Sequence, residues 1–314
     1  MSYKLVRATD LYDSLCRYRR EGALRGVYLG FPEVNKHYTM ALPGVTDWTG
    51  FPQSGKTQIL MEFLMNTSEF YGWKHLVHFP DVGNSQEIIA DLIHKYTGKT
   101  FDKRYPNHIT EREIADAMPW VSEHFKVVET EDLNNKMTPF EFWDLAARMK
   151  KTDGIHTASV DAWKDLNHKR EKEFGRTDQY LENALSYRNA ISERYKLHFH
   201  TIIHPLRTEK DTSGNRRPPT PYDMKGGTEW YNNAKNSITV HRPDGDDTQI
   251  EIFFNKIKPR SIGEVGYATL DFDVKRFRYY QEHMGVKRFA EKEAYQDERT
   301  EIKSLEDLKD EIPF

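Results

Sequence analysis

Apolar residues recur along the chain in two rhythms, and their alternation outlines one α/β domain. Leu11, Leu15 and Tyr18 fall at helical spacing within residues 9–21, which predicts a short amphipathic helix ahead of the main body. A short strand at 45–49 runs into the glycine-rich stretch GFPQSGKT (50–57), and Ile59, Leu60, Phe63 and Leu64 give the next segment one apolar helical face. HLVHF (75–79) predicts a strand, and SQEIIADLIHKYTG a helix closed by Gly98. Thr110 with Glu113 spells a capping box, FKVVE (125–129) a strand, and Thr138, Pro139 and Glu141 another helix start. IHTASVD (155–161) reads as a strand, TDQYLENALSYRNAISERYK as a helix and LHFHTIIH (197–204) as a strand.

Strands alternating with helices in this way mean a mostly parallel sheet covered on both faces. Beyond residue 234 the helical rhythm stops. NSITVHR, TQIEIFFNKIK, GYATLDFD and RFRYY predict successive strands, an antiparallel edge on the same sheet. No internal repeat is present. Residues 291–314 carry nine acidic and four basic side chains and few large apolar ones, which predicts a solvated tail. The expected organisation is an amino-terminal helix in 1–30, an α/β core in 31–285 and an acidic flexible tail in 286–314.

Composition narrows the picture only a little. In 314 residues, 37% hydrophobic and 13% aromatic content is enough for a real core, while 30% charge favours solubility. A net charge of −3 gives no global positive field, so a nucleic-acid partner would have to meet local basic loops. A single cysteine, Cys16, excludes an intramolecular disulfide framework and a cysteine-rich metal site. No long apolar run or signal-like start is seen, and a cytoplasmic protein with no membrane partner is expected.

GFPQSGKT fits G-x-x-x-x-G-K-[ST] between a strand and a helix, the context a phosphate-binding loop requires. Gly50, Phe51, Pro52, Gln53, Ser54, Gly55, Lys56, Thr57 and Gln58 are the expected nucleotide-binding residues. Gly50 and Gly55 allow the turn, Lys56 reaches the β- and γ-phosphates, Thr57 sits on Mg²⁺, and the helix start adds its positive dipole end. Such a site needs a strand-end carboxylate for the metal, and Asp161 closes IHTASVD. His204 ends LHFHTIIH, where it would sense the γ-phosphate. His198 and His200 share its alternation, but three histidines on one strand make a poor zinc site, so the other two are read as filler.

The runs SVDAWKDLNH, IIHPLR and PPTPYDMKGGTEWYNNAKNSITVHR resemble the helicase domain of phage and Twinkle-type proteins. These are relatives of the DnaB-like hexameric replicative helicases, with a RecA-like P-loop core. The resemblance runs from about Asp10 to Tyr280. It implies an ATP- and Mg²⁺-dependent, ring-forming helicase of phage-type DNA replication, acting on single-stranded DNA as a homo-hexamer, in a bacterial host's cytoplasm if phage-encoded. Lys56, Thr57, Asp161 and His204 take the family's phosphate, metal and sensor roles. In NKIKPRSIGEVG, Lys258 and Arg260 match the K-x-R signature, whose arginine reaches a neighbouring subunit's nucleotide. The family's catalytic Glu falls on Asp81 in HFPDVGN. One methylene fewer displaces the attacking water by about 1 Å, a shift that can cost ~100-fold in rate.

Strand contacts are expected from loops with small basic excesses. Residues 164–176 carry five basic and three acidic side chains, and 207–217 four and two. Lys169, Arg170, Arg216, Arg217 and Lys225 are the candidates, with backbone at Gly226 and Gly227. The amino-terminal helix is expected to dock on an adjacent subunit. The ending LKDEIPF resembles the acidic, Phe-terminated tips of single-stranded-DNA-binding proteins, and Ile312, Pro313 and Phe314 would recruit a polymerase or primase. With no room for a primase module ahead of residue 40, priming is expected from another protein. The alternative is an ATP-dependent, single-stranded-DNA-binding scaffold with weak or no hydrolysis, which Asp81 favours.

Overall fold

The computed structural model describes residues 5–22, 25–130, 136–206, 217–243 and 248–292. Its centre is β1 (Gly44–Thr49), buried along its whole length. Full burial without alternation is what a strand covered on both faces requires. Beside it lie β2 (His75–His78), β3 (Phe125–Val127), β4 (Thr157–Asp161), β5 (His198–Ile202) and β6 (Asn236–His241), all parallel. β7 (Gln249–Lys256), β8 (Gly266–Asp273), β9 (Arg278–His283) and β10 (Val286–Phe289) continue antiparallel, and the order is β10-β9-β8-β7-β6-β1-β5-β4-β2-β3. The parallel sheet with an antiparallel edge expected from the pattern is present.

The helices are α1 (Tyr12–Glu21), α2 (Pro32–His37), α3 (Lys56–Tyr71), α4 (Ser85–Thr97), α5 (Glu111–His124), α6 (Pro139–Thr152), α7 (Glu171–Phe174), α8 (Thr177–Tyr195) and α9 (Gly227–Asn233). Capping boxes at Asn84–Glu87, Thr110–Glu113 and Thr138–Glu141 open α4, α5 and α6, and Gly98 in a left-handed conformation ends α4. The two sheet faces feed two cores. Trp48, Val77 and Ile202 pack with α3, α4 and α5, whereas Leu76, Ala158, Val160 and Phe199 pack with α6 and α8. Neighbouring Leu76 and Val77 go to opposite cores, as strand alternation demands.

Several expectations change. The α3 segment buries nearly everything from Ile59 to Ser68, including Glu62, Asn66 and Thr67, where one apolar face was expected. Partners outside the helix satisfy those polar groups: Asn66 donates to the Leu29 carbonyl at 2.8 Å, and Arg278 donates to Glu62 and Asn66. The core also begins before residue 31, since Leu29 is buried and Val27 bridges to Met40. At the other end β10 pairs with β9, so the sheet runs past 285 into the segment expected to be tail. α2 and α9 had no periodic signal because they are one to two turns long. On α1 no residue is buried, and Leu11, Leu15 and Tyr18 stand exposed. Ile312, Pro313 and Phe314 lie outside the described residues. Among those described, no helix is long and apolar enough to cross a membrane.

Candidate functional site

The site forms where β1, β2, β4 and β5 end, the edge at which open α/β sheets receive ligands. β1 runs into the turn at 50–55, and α3 begins at Lys56. A Cβ on Gly50 would stand 2.2 Å from the Val240 carbonyl oxygen, and Gly55 is left-handed (φ +89°) with the Tyr279 hydroxyl 2.9 Å from where its Cβ would be. Both positions therefore need glycine. Gln53 is left-handed as well (φ +64°), completing a tight loop in which Lys56 Nζ donates to the Phe51 carbonyl at 2.7 Å. Burial lowers the Lys56 ammonium to about 8.

Thr57 Oγ1 donates a short hydrogen bond to Asp161 Oδ2. Burial pushes the Asp161 carboxyl up to about 6, against the Thr57 hydrogen bond and the Lys56 charge, which pull it down. Its other oxygen, Oδ1, is buried without a hydrogen-bond partner. Asp81, three residues past β2, is tied in by its own N–H, which donates to the Asp161 carbonyl at 3.3 Å. His204 Nε2 lies 3.3 Å from Asp81 Oδ2 but is not aligned for a hydrogen bond. Ligand atoms of Asp81, Asp161 and His204 all lie within 4.8 Å of one another. The expected catalytic residues of this edge therefore meet in one cradle.

The donor set suits a hard divalent cation. Two oxygens, Thr57 Oγ1 and Asp161 Oδ2, already touch, and the orphaned Asp161 Oδ1 remains available; the imidazole of His204 is the wrong type of atom for Mg²⁺. Ser54 Oγ and Gln58 Oε1 are also buried without partners, while Gln58 Nε2 donates to Asp91 Oδ2 at 3.2 Å. Buried polar atoms left open around one loop are the mark of a ligand site.

Two residues of the cradle escaped the sequence reading. Lys164, after β4, donates from Nζ to Asp81 Oδ1 at 2.7 Å. Burial raises the Asp81 carboxyl, but this hydrogen bond and the charges of Lys164 and Lys56 outweigh it and hold Asp81 below the usual carboxylate range. Arg242 follows β6, its Nη2 3.9 Å from the position of a Gly55 Cβ and its Nε buried without a partner. Its one sequence signal is its place at the end of NSITVHR, a strand that flanks β1.

Lys258 and Arg260 lie elsewhere. β7 runs antiparallel to β6, so Lys256 pairs beside Ser237 and the chain leaves the sheet at the end opposite the P-loop. The Lys258 N–H donates to Asn236 Oδ1 at 3.2 Å, and Asn236 stands level with Thr46 of β1. From that level to Gly50 is about 13 Å at the usual strand rise. Both side chains are exposed. They do not join their own chain's cradle.

The candidate strand-binding residues divide. Lys169 and Lys225 are exposed. Arg170 is paired with Glu173 at 3.2 Å and lies 4.5 Å from the Phe140 ring centroid. Arg217 holds Asp223 through two 2.8 Å hydrogen bonds. Arg216 is outside the described residues. Gly226 is half-buried against Leu181, and Gly227 is buried, its Cβ position 2.7 Å from the Pro221 carbonyl and from the Tyr222 backbone. Close packing alone requires glycine at 227. His198 and His200 are buried filler: His198 bonds to Thr46 and the Ala41 carbonyl, and His200 accepts from Trp48.

A P-loop at the central strand of a parallel sheet, with one carboxylate three residues past β2, a second closing β4 and a histidine after β5, defines a RecA-like α/β fold with the donor set of a nucleotide–metal site. The chain is similar to the Twinkle homolog protein, chloroplastic/mitochondrial, of Arabidopsis thaliana, 24% identical over 276 residues. The match covers 84% of this chain but 38% of that protein, so the chain spans about two fifths of the relative's length. The fold matches a solved ATPase domain with a TM-score of 0.69 at 15% identity, covering 90% of this chain and 99% of that one. It also matches a DnaB-like replicative helicase, solved for its interactions with primase, with a TM-score of 0.67 at 14% identity over 88% of this chain and 67% of that one. No protein-family model matches the chain. The sequence match to the Twinkle homolog and the RecA-like fold shared with these two structures accord with the resemblance carried by SVDAWKDLNH and its companion runs.

Proposed function

We propose that this chain is the nucleoside-triphosphate-hydrolysing motor of a ring-forming, phage-type DNA helicase that translocates on single-stranded DNA. One observation carries the reading. Lys56, Thr57, Asp81, Asp161 and His204 converge at one end of the sheet, while Lys258 and Arg260 stand exposed at the other. A finger that far from its own P-loop serves only another copy's nucleotide, which is how a ring, expected to be a hexamer, couples hydrolysis to assembly.

Mg²⁺ would be held by Thr57 and Asp161, partly through water, and would neutralise charge on the phosphates. The chain's own groups do the rest. The loop's N–H groups and the α3 amino terminus bind the phosphates, and Lys56 exchanges its Phe51 carbonyl for a phosphate oxygen. Asp81 orients the attacking water, and His204, beside it, reports the γ-phosphate to the segment after β5. Arg242 lies where it would contact the nucleotide over Gly55. Exposed Lys169 and Lys225, and a polymerase or primase recruited through Ile312–Phe314, complete the assignment. A second reading, a nucleotide-gated DNA clamp that hardly hydrolyses, is favoured by the Lys164–Asp81 hydrogen bond, which engages the catalytic carboxylate.

ATP turnover by the purified protein, with and without single-stranded DNA and beside Lys56→Ala, separates the two. Strong DNA stimulation lost in the variant is expected of a motor. Tight nucleotide and DNA binding with negligible turnover would establish the clamp instead.

A further inference from the structure

Two lysines bring positive charge to Asp81, Lys56 from the P-loop and Lys164 after β4, and the His204 imidazole, whose protonation burial and the Lys56 charge disfavour, stands beside it after β5. Lys56 and His204 have work at the phosphates. Lys164 has none there, yet it makes the side-chain hydrogen bond to Asp81, from Nζ to Oδ1 at 2.7 Å, with Asp165 Oδ2 3.7 Å away on its other side. Its side chain is 53% exposed. It also opens residues 164–176, the segment with five basic and three acidic side chains, in which Lys169 and Lys172 are exposed. One flexible ammonium thus joins the hydrolytic cradle to a basic surface.

A carboxylate that orients water needs a free acceptor oxygen and freedom to lean toward the phosphate. On Asp81, Oδ1 is taken by Lys164, while Oδ2 lies 3.3 Å from His204 Nε2 without a hydrogen bond, so the Lys164 pair is what restrains the carboxylate's lean. An ion pair half in solvent is weak, and a nucleic-acid phosphate is a good competitor for a lysine on a four-carbon stem. We propose that Lys164 is a positioning residue that holds Asp81 out of register with the attacking water until a DNA phosphate draws its ammonium away, so that strand binding at 164–176 releases hydrolysis at the P-loop. The inference rests on the motor reading given above. It also gives Asp81 a reason to be slow without DNA that is separate from its short side chain.

Two experiments on the full chain test it. In the first, a water-soluble carbodiimide activates Asp81, the Lys164 amine attacks, an amide forms and the reagent leaves as its urea, having taken up the elements of water. Mass spectrometry of the DNA-free protein is expected to find the Asp81–Lys164 cross-link, and oligo(dT) to reduce its yield several-fold. The 3.2 Å Lys287–Asp273 pair serves as an unaffected reference. An Asp81–Lys164 yield that oligo(dT) leaves unchanged overturns the proposal.

In the second, Lys164→Ala is expected to raise DNA-free ATP turnover on the order of tenfold, the rate equivalent of one lost hydrogen bond, and to bring the DNA stimulation ratio toward one. Lys164→Arg, which keeps the pair, is expected to keep the stimulation. Equal losses with and without DNA in Lys164→Ala, or an unchanged stimulation ratio, would show a merely structural lysine. Absence of turnover in the wild-type protein under every condition would sink the motor reading instead, and the cross-link yield would then decide the coupling by itself.

Discussion

Helix α3 carries two sets of buried charge, and they behave differently. Toward its middle, Glu62 accepts from Arg278 Nε at 2.7 Å and from Lys95 Nζ at 3.3 Å. Lys95 also donates to the Phe277 carbonyl at 2.8 Å and lies over the rings of Phe272, Phe277 and Tyr279. Arg278 spends its remaining donors on Asn66, Glu69 and the Lys95 carbonyl. No polar side-chain atom of Glu62, Lys95 or Arg278 is left buried without a partner. At the helix amino terminus, by contrast, Lys56 and Thr57 face a cradle in which Ser54, Gln58, Asp161 and His204 each keep a buried atom unpaired. The closed set joins α3 to α4 and β9. The open set lines the site proposed for the nucleotide and its metal, and its cost in stability is borne by the rest of the fold.

The sharpest test of that contrast lies outside both sets. If the open cradle is finished by another copy, Arg260→Ala should lower ATP turnover by ~10³–10⁵-fold, the range for a finger acting in trans, while fluorescent-nucleotide binding stays near wild type. Normal turnover in Arg260→Ala would mean that the cradle works within one chain. The next effect belongs to the closed set. Glu62→Ala leaves Lys95 and Arg278 buried together without their anion and should cost about 3–5 kcal/mol in urea unfolding. A loss under about 1 kcal/mol would show the trio to be no more than a solvated surface network.

The open set predicts the opposite sign. With the folded carboxyl of Asp161 raised to about 6, the stability it contributes is present below the ordinary carboxylate pKa and is lost as pH rises through 6. In metal-free buffer at pH 8, Asp161→Asn should therefore stabilise the fold by up to about 3 kcal/mol, from two units at 1.36 kcal/mol each. The gain should vanish below about pH 4. A destabilised variant at pH 8 would place Asp161 among the structural charges. The smallest change concerns side-chain length: Asp81→Glu should raise DNA-stimulated turnover by up to ~100-fold if a displaced water limits the rate. No gain would mean that the backbone after β2 already corrects the reach.

Much of this was legible in the chain. GFPQSGKT specifies its own turn, because only glycine fits beside the Val240 carbonyl and beside the Tyr279 hydroxyl. Thr110–Glu113 and Thr138–Glu141 announce α5 and α6 through hydrogen bonds that span three residues. The strand-end positions of Asp161 and His204 follow from strand alternation. Lys164, Arg242 and the buried flank of α3 were not legible. Lys164 meets Asp81 from 83 residues away, and Glu62 meets Arg278 from 216.

By itself, then, the sequence determined the alternation of the main strands and helices, the phosphate-binding turn and which side chains arrive at strand ends. Those are properties of neighbouring residues, written in torsional preference and in the periods of strand and helix. Only the tertiary structure decided that β4 lies between β2 and β5, which brings Asp81, Asp161 and His204 within reach of one another, and that β7 reverses to carry Arg260 to the far edge. Which charges end up paired depends on which strands become neighbours, and no local period encodes that.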